Sequence, residues 1–149
     1  MKAIFFIFLG GFFLCGCYTH KITVIDAKTL QPVPDALVLT DKQYTFTSHV
    51  RAYKTNDRGV ISLDYQPTSI FAGKRGYWMG TENCPNVIFL VDEKTDPSKY
   101  AQNKEFPALY APYEYLDKGD PLYKEWKDYA ENQKMLKKEF FAKSELKTR

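Results

Sequence analysis

The chain has 149 residues, enough for one domain and an appendage, and carries 11 Tyr, 11 Phe and 3 Cys. Its formal net charge of +3 is too small to argue for a nucleic-acid partner. The first element in chain order is MKAIFFIFLGGFFLCGC, where Lys2 supplies a positive start and residues 3–14 form an uncharged apolar run. About 12 residues fall short of the ~20 that a spanning helix needs. Polar and then strand-like sequence follows, so the run is expected to be an export signal.

The run closes on Leu14-Cys15-Gly16-Cys17. Two cysteines one residue apart raise the question of a metal or redox pair. Such a site needs further Cys or His at ligand spacing, and only His20 follows nearby. With Leu14 three places before Cys17 and the small Gly16 directly before it, the segment resembles the lipobox of bacterial lipoproteins. Cys15 is less usual at its place in that pattern, and it cannot itself be the modified residue because the large Leu14 precedes it. The resemblance implies cleavage between Gly16 and Cys17, removal of residues 1–16, and lipid on Cys17. The other reading is an ordinary signal peptide or an uncleaved anchor. Lipoproteins of this type carry more than one acyl chain, and each buried methylene contributes about 0.8 kcal/mol, so the anchor would be a lasting one. Tyr18 is not the Asp that commonly signals inner-membrane retention in enteric bacteria, so the expected location is the outer membrane, facing the periplasm. Cys84 would then remain as a lone thiol, expected to be buried and inert rather than to bridge two chains.

From residue 18 the pattern turns to short strands. KITVID (21–26) alternates and is rich in β-branched residues. AKTLQPVP (27–34) reads as a turn, DALVLTD (35–41) as a strand, and QYTFTSHVRAYKT (43–55) as an alternating aromatic and polar strand. NDRG (56–59) is a turn in which Asn56 and Asp57 can bond their own backbone and Gly59 takes the left-handed position. In VISLDY (60–65), Ile61 and Leu63 share one face while Val60, Ser62 and Asp64 share the other. TSIFAGKRGYWMG (68–80) holds a strand and a Gly-rich bend, and NVIFLVDE (86–93) is the most apolar strand. Strands at this spacing predict an all-β sandwich over residues 17–93.

Gln31-Pro32-Val33-Pro34-Asp35-Ala36-Leu37-Val38, then Thr55-Asn56-Asp57-Arg58-Gly59-Val60-Ile61-Ser62-Leu63, then Gly76-Tyr77 together resemble the carboxypeptidase regulatory-like domain. The resemblance covers about half of the chain and rests on turn chemistry. It implies a small transthyretin-like (Ig-like) β-sandwich that serves as an accessory or scaffold and brings no catalytic residues of its own. The chain departs from the family's pattern in having Gln31 and Asp35 where glycine is favoured, and Ile61 where an aromatic is.

Residues 94–120 contain Pro97, Pro107 and Pro112 and many tyrosines, so they form neither a long helix nor a central strand. They are expected to lay Phe106, Leu109, Tyr110, Tyr113 and Tyr115 on a surface. A C-terminal α-helical extension over 121–147 follows, with Asp120 as its cap and Pro121 at its first position. Leu122, Trp126, Tyr129, Gln133, Leu136 and Phe140 recur at helical spacing as one stripe. The stripe can cover the sandwich, dock on an envelope protein, or lie on an anionic lipid surface; Tyr110, Tyr113, Tyr115 and Trp126 are the candidate interaction surface. If the aromatics bury against Ile61, Leu63 and Phe89, the tail is structural.

No nucleophile elbow, zinc-binding HExxH, phosphate loop or dinucleotide fingerprint occurs, and the acids do not match a calcium loop. His20 is expected in the tether after the anchor and His49 in a structural role. A carboxylate pair such as Glu82 with Asp92 would have to converge in space to do acid–base work. The expectation is therefore a non-enzymatic envelope lipoprotein, without metal or cofactor, that touches the membrane through Cys17 and binds or braces a partner. The alternatives are a small-ligand or polysaccharide binder, or an enzyme with its site between sandwich and tail.

Overall fold

Alternation decides the first sheet. In β1 (His20–Asp26) the inward residues Ile22 and Val24 are fully buried, while the outward ones meet solvent in part. This strand lies between β4 (Val60–Leu63) and β7 (Val87–Leu90). It runs antiparallel to β4, with Ile22 opposite Ile61, and parallel to β7, with Val24 opposite Ile88. The computed structural model describes residues 19–45, 47–82, 86–96 and 112–147.

The second sheet has the order β3-β2-β5-β6 and is antiparallel throughout, from β2 (Leu37–Gln43), β3 (Ser48–Lys54), β5 (Ser69–Gly73) and β6 (Gly80–Glu82). Its strand β2 is buried from Leu37 to Asp41, on both of its faces. Val38 faces the first sheet and joins Ile22, Val24, Ile61, Leu63, Ile70, Ala72, Ile88 and Leu90 in the core between the sheets. Leu37 and Leu39 face the other way, into a second apolar cluster with Phe71, Met79, Tyr113, Leu116, Trp126, Tyr129 and Ala130. The molecule is thus a β-sandwich carrying a helical layer, as the sequence predicts for its fold class.

That layer is α1 (Tyr123–Lys147), preceded by a 3-10 turn at Pro112–Tyr115. The Asp120 carboxylate accepts the Leu122 N–H at 2.8 Å, the capping that the Asp-Pro pair predicts. Trp126, Tyr129 and Gln133 are buried, and Phe140 meets Trp78 edge-on with ring centroids 5.9 Å apart. The stripe therefore covers the four-stranded sheet. It lies on that sheet's outer face, not against Ile61, Leu63 and Phe89; Ile61 and Leu63 are spent in the inter-sheet core, and Phe89 points outward, 47% exposed.

Two strand boundaries differ from the pattern reading. The strand read through 43–55 is interrupted: β2 runs on to Gln43, and Tyr44 N–H bonds Thr47 C=O at 2.7 Å to close a hairpin. The turn holds neither Gly nor Pro, so alternation continues across it. The bend after β5, with Gly76 at φ 88°, leads into the separate short strand β6. The turn at 56–59 forms as its residues predict. Asn56 Oδ1 accepts Arg58 N–H and Val60 N–H, and Gly59 takes φ 68°. A Cβ on Gly59 would stand 2.7 Å from the Val24 carbonyl oxygen, so the turn presses directly on β1.

Candidate functional site

The residues singled out from sequence fall in different places. Trp126 is fully buried and Tyr113 nearly so, because the sheet's outer face needs a cover; neither offers a surface to a partner. Tyr115 is 70% exposed. Gly16, Cys17, Cys84 and Tyr110 lie outside the described residues, as do Phe106 and Leu109. His20 is not a tether residue: it opens β1, opposite Leu63, and is buried, with no hydrogen-bond partner at Nε2 among the described residues. Asp92 forms a backbone bridge with Tyr77, whereas the Glu82 side chain lies outside the described residues.

The seam between sheet and helix is closed by fit and by two polar anchors. The Tyr129 hydroxyl donates to the Tyr77 carbonyl at 3.0 Å, and Gln133 Nε2 donates to the same oxygen at 3.0 Å. Gln133 Oε1 accepts Met79 N–H at 3.3 Å. Burial pushes the Tyr129 phenol far above its ordinary range, which keeps it a donor. A buried polar helix residue satisfied at both ends fixes the helix's register on the sheet.

Concentrated surface chemistry sits elsewhere, on the inner face of β2 and β3 where the three-stranded sheet no longer covers it. Register sets it up: Val38 pairs with Tyr53, Thr40 with Arg51 and Lys42 with His49, so alternate residues of both strands point the same way. Beyond the apolar Val38, that face turns polar. Lys42, Tyr44, His49 and Arg51 line a shallow cleft of about 170 Å³, closed on its far side by Asp64 and Tyr65 just after β4.

Tyr65 organises the cleft. Its hydroxyl lies 2.6 Å from Thr40 Oγ1 and 3.2 Å from the Tyr53 hydroxyl. Thr40 in turn donates to the Arg51 carbonyl at 3.4 Å. Burial raises the Tyr65 phenol well above the ordinary range, with the Thr40 hydroxyl opposing the shift. Lys42 Nζ stands 5.3 Å from the Tyr65 ring centre and 5.2 Å from that of Tyr44, while the Arg51 guanidinium stands 5.5 Å from the Tyr65 ring. Two cations thus share one phenol as a platform. His49 meets Tyr44 edge-on at 5.4 Å. The Tyr53 hydroxyl, the neighbouring phenols and, more weakly, the Asp64 carboxylate hold Arg51 more firmly protonated than usual. Among the described residues no carboxylate comes within ion-pair distance of Lys42 or Arg51; the ion pair that forms is Lys54–Glu125, from β3 to the helix.

The cleft offers hydrogen-bond donors and positive charge on an aromatic floor, which suits binding an oxyanion. Sequence reading missed it, because Lys42, Arg51 and Tyr65 are 9 and 14 residues apart in turn and only the strand register unites them. Elsewhere, Asp26 ends β1 by accepting Thr29 N–H, Lys28 N–H and the Tyr77 hydroxyl, each at 2.8–2.9 Å. Burial alone would raise its carboxyl, but these donors outweigh it and hold the carboxyl below its usual value. Among the described residues no three His, Cys, Asp or Glu gather as a metal site would require. No protein-family model matches this chain, and no curated protein matches it.

Proposed function

We propose that this chain is a lipid-anchored protein of the bacterial envelope whose sandwich, clamped by its helix, is a non-catalytic binding or bracing module. The observation that carries the reading is Leu14-Cys15-Gly16-Cys17 at the close of a short uncharged apolar run. In it, Cys17 bears lipid and residues 1–16 are removed. Tyr18 in place of Asp supports the outer membrane, periplasmic side. The Asn56–Gly59 turn and the paired sheets support the likeness to the carboxypeptidase regulatory-like domain. In that likeness the sandwich is an accessory unit.

The structure bears on how such a module would bind. Trp126 and Tyr129 of the helix's aromatic stripe are spent on the sheet, so they are not available to a partner or to lipid. Between the sandwich and the described residues of the tail, the seam is filled by Trp126, Tyr129 and Leu116, which supports placing binding on the sandwich's own surface. The test is direct. Cys17→Ser should abolish acyl labelling and release the protein from the membrane fraction, while crosslinking of the wild type in intact envelopes should capture neighbours. Continued labelling of Cys17→Ser would overturn the anchor.

A further inference from the structure

The cleft and the entry of the chain lie at the same end of the sandwich. His20, the first residue of β1, pairs with Leu63, the last of β4, and the next two residues, Asp64 and Tyr65, line the cleft. Cys17 stands three residues before His20. An extended chain covers at most about 3.6 Å per residue, so this end of the sandwich is held within roughly 11 Å of Cys17. A lipid on Cys17 would therefore bring the cleft to the membrane surface.

We propose that the cleft binds the phosphate of an anionic lipid headgroup, with Lys42 and Arg51 as its ligands, so that the sandwich is docked on the bilayer as well as tethered to it. The inference rests on the lipid anchor at Cys17 and adds an orientation to it. Arg51 supplies a planar fork suited to two phosphate oxygens, and Lys42 supplies a point charge. Both cations rest on the Tyr65 ring, Arg51 also bonds the Tyr53 hydroxyl, and the Asp64 carboxylate attracts Arg51 without coming within ion-pair distance, so both keep charge to offer an incoming anion. Tyr44 caps the β2–β3 hairpin and is 52% exposed, an amphipathic ring of the kind that settles at headgroup level. Lys28 lies beyond the far end of β1, past Asp26, and serves as a basic residue remote from the cleft.

The two histidines make the test simple. His49 lines the cleft, whereas His20 is buried where β1 begins, so the two rings report separately on the cleft and on the chain's entry. The processed full chain is held in maltoside micelles, phospholipid is added, and the His49 ring resonances are followed by NMR. Phosphatidylglycerol should move His49 in a saturable way that phosphatidylcholine does not reproduce. Each surface charge near an anionic bilayer is worth about fivefold in binding, so Lys42→Gln and Arg51→Gln should each weaken the effect by about that factor, and Lys28→Gln should not. All three variants should keep the wild-type unfolding midpoint. Equal response to the two lipids, or wild-type response in both cleft variants, would overturn the proposal, as would an equal His49 shift with inorganic phosphate alone. Mass spectrometry of the same sample reads acylation of Cys17 separately, so loss of the anchor reading and loss of the cleft reading are told apart.

Discussion

The Tyr129 ring lies against Gly73 so closely that a Cβ on the glycine would stand 2.2 Å from Tyr129 Cε1. Glycine at the end of β5 is what lets the helix reach its seat. The ring cannot turn aside, because its hydroxyl is bonded to the Tyr77 carbonyl and its edge meets Trp126 at 5.9 Å. Gly73→Ala should therefore lift the helix and cost about 3 kcal/mol, at the upper end for overpacking. Thermal unfolding measures the loss. If contact with Tyr129 is the cause, Tyr129→Ala should cost much less in the Gly73→Ala background than in the wild type.

Gln133 is expected to be the polar residue the helix can least lose. Gln133→Leu keeps the volume but leaves Met79 N–H buried without its partner, while the Tyr77 carbonyl retains Tyr129. The cost should be about 2 kcal/mol, and hydrogen exchange of the Met79 amide should rise. Tyr129→Phe removes one of two donors to the Tyr77 carbonyl and should cost closer to 1 kcal/mol. The reverse order would show that the register is set by packing alone.

These contacts also mark how far the sequence could be read. The helix was legible because Trp126, Tyr129 and Gln133 recur on one face and Asp120-Pro121 announces the start. The sandwich was legible from Ile61 alternating with Leu63 and from the Asn56–Gly59 turn. Which sheet face the helix covers was not legible. Alternation along β2 reads the same whether Leu39 or Val38 meets the helix, since both are buried. The cleft was hidden for a related reason. His49 read as structural because its partners Lys42 and Tyr44 become neighbours only through a hairpin that lacks the usual turn residues.

Leu30 has φ 59°, a left-handed conformation that costs a residue with a Cβ about 1–2 kcal/mol, and it is 65% exposed. Its backbone is held there by Leu30 N–H bonding the Asp26 carbonyl at 2.9 Å. Leu30→Gly should therefore raise stability by up to about 1 kcal/mol once the glycine's greater freedom in the unfolded chain is counted. Asp35, at φ 52°, should gain less from the same change, because Asp tolerates this region better than Leu. Denaturant midpoints of the two variants decide the order.

Alkaline pH should unfold this protein through phenols that the fold keeps protonated. Burial raises Tyr65 and Tyr129, and burial with the Asp26 hydrogen bond raises Tyr77. A raised pKa means that the folded state binds the proton more tightly. The stabilisation is thus fully present below the unfolded phenol value of about 10, and is lost as the pH rises through the folded values. Phenolate absorbance from Tyr65 and Tyr129 should appear only together with loss of the circular dichroism signal. Tyr65→Phe and Tyr129→Phe should each remove one phenol's amplitude from that late phase, and missing amplitude in the earlier phase instead would show that the ring titrates in the folded state. Tyr65 carries the further weight of the cleft. Tyr65→Phe keeps the aromatic seat for Lys42 and Arg51 but cuts the link from Thr40 to Tyr53, so it should lower stability by about 1 kcal/mol and leave the cleft's positive charge in place.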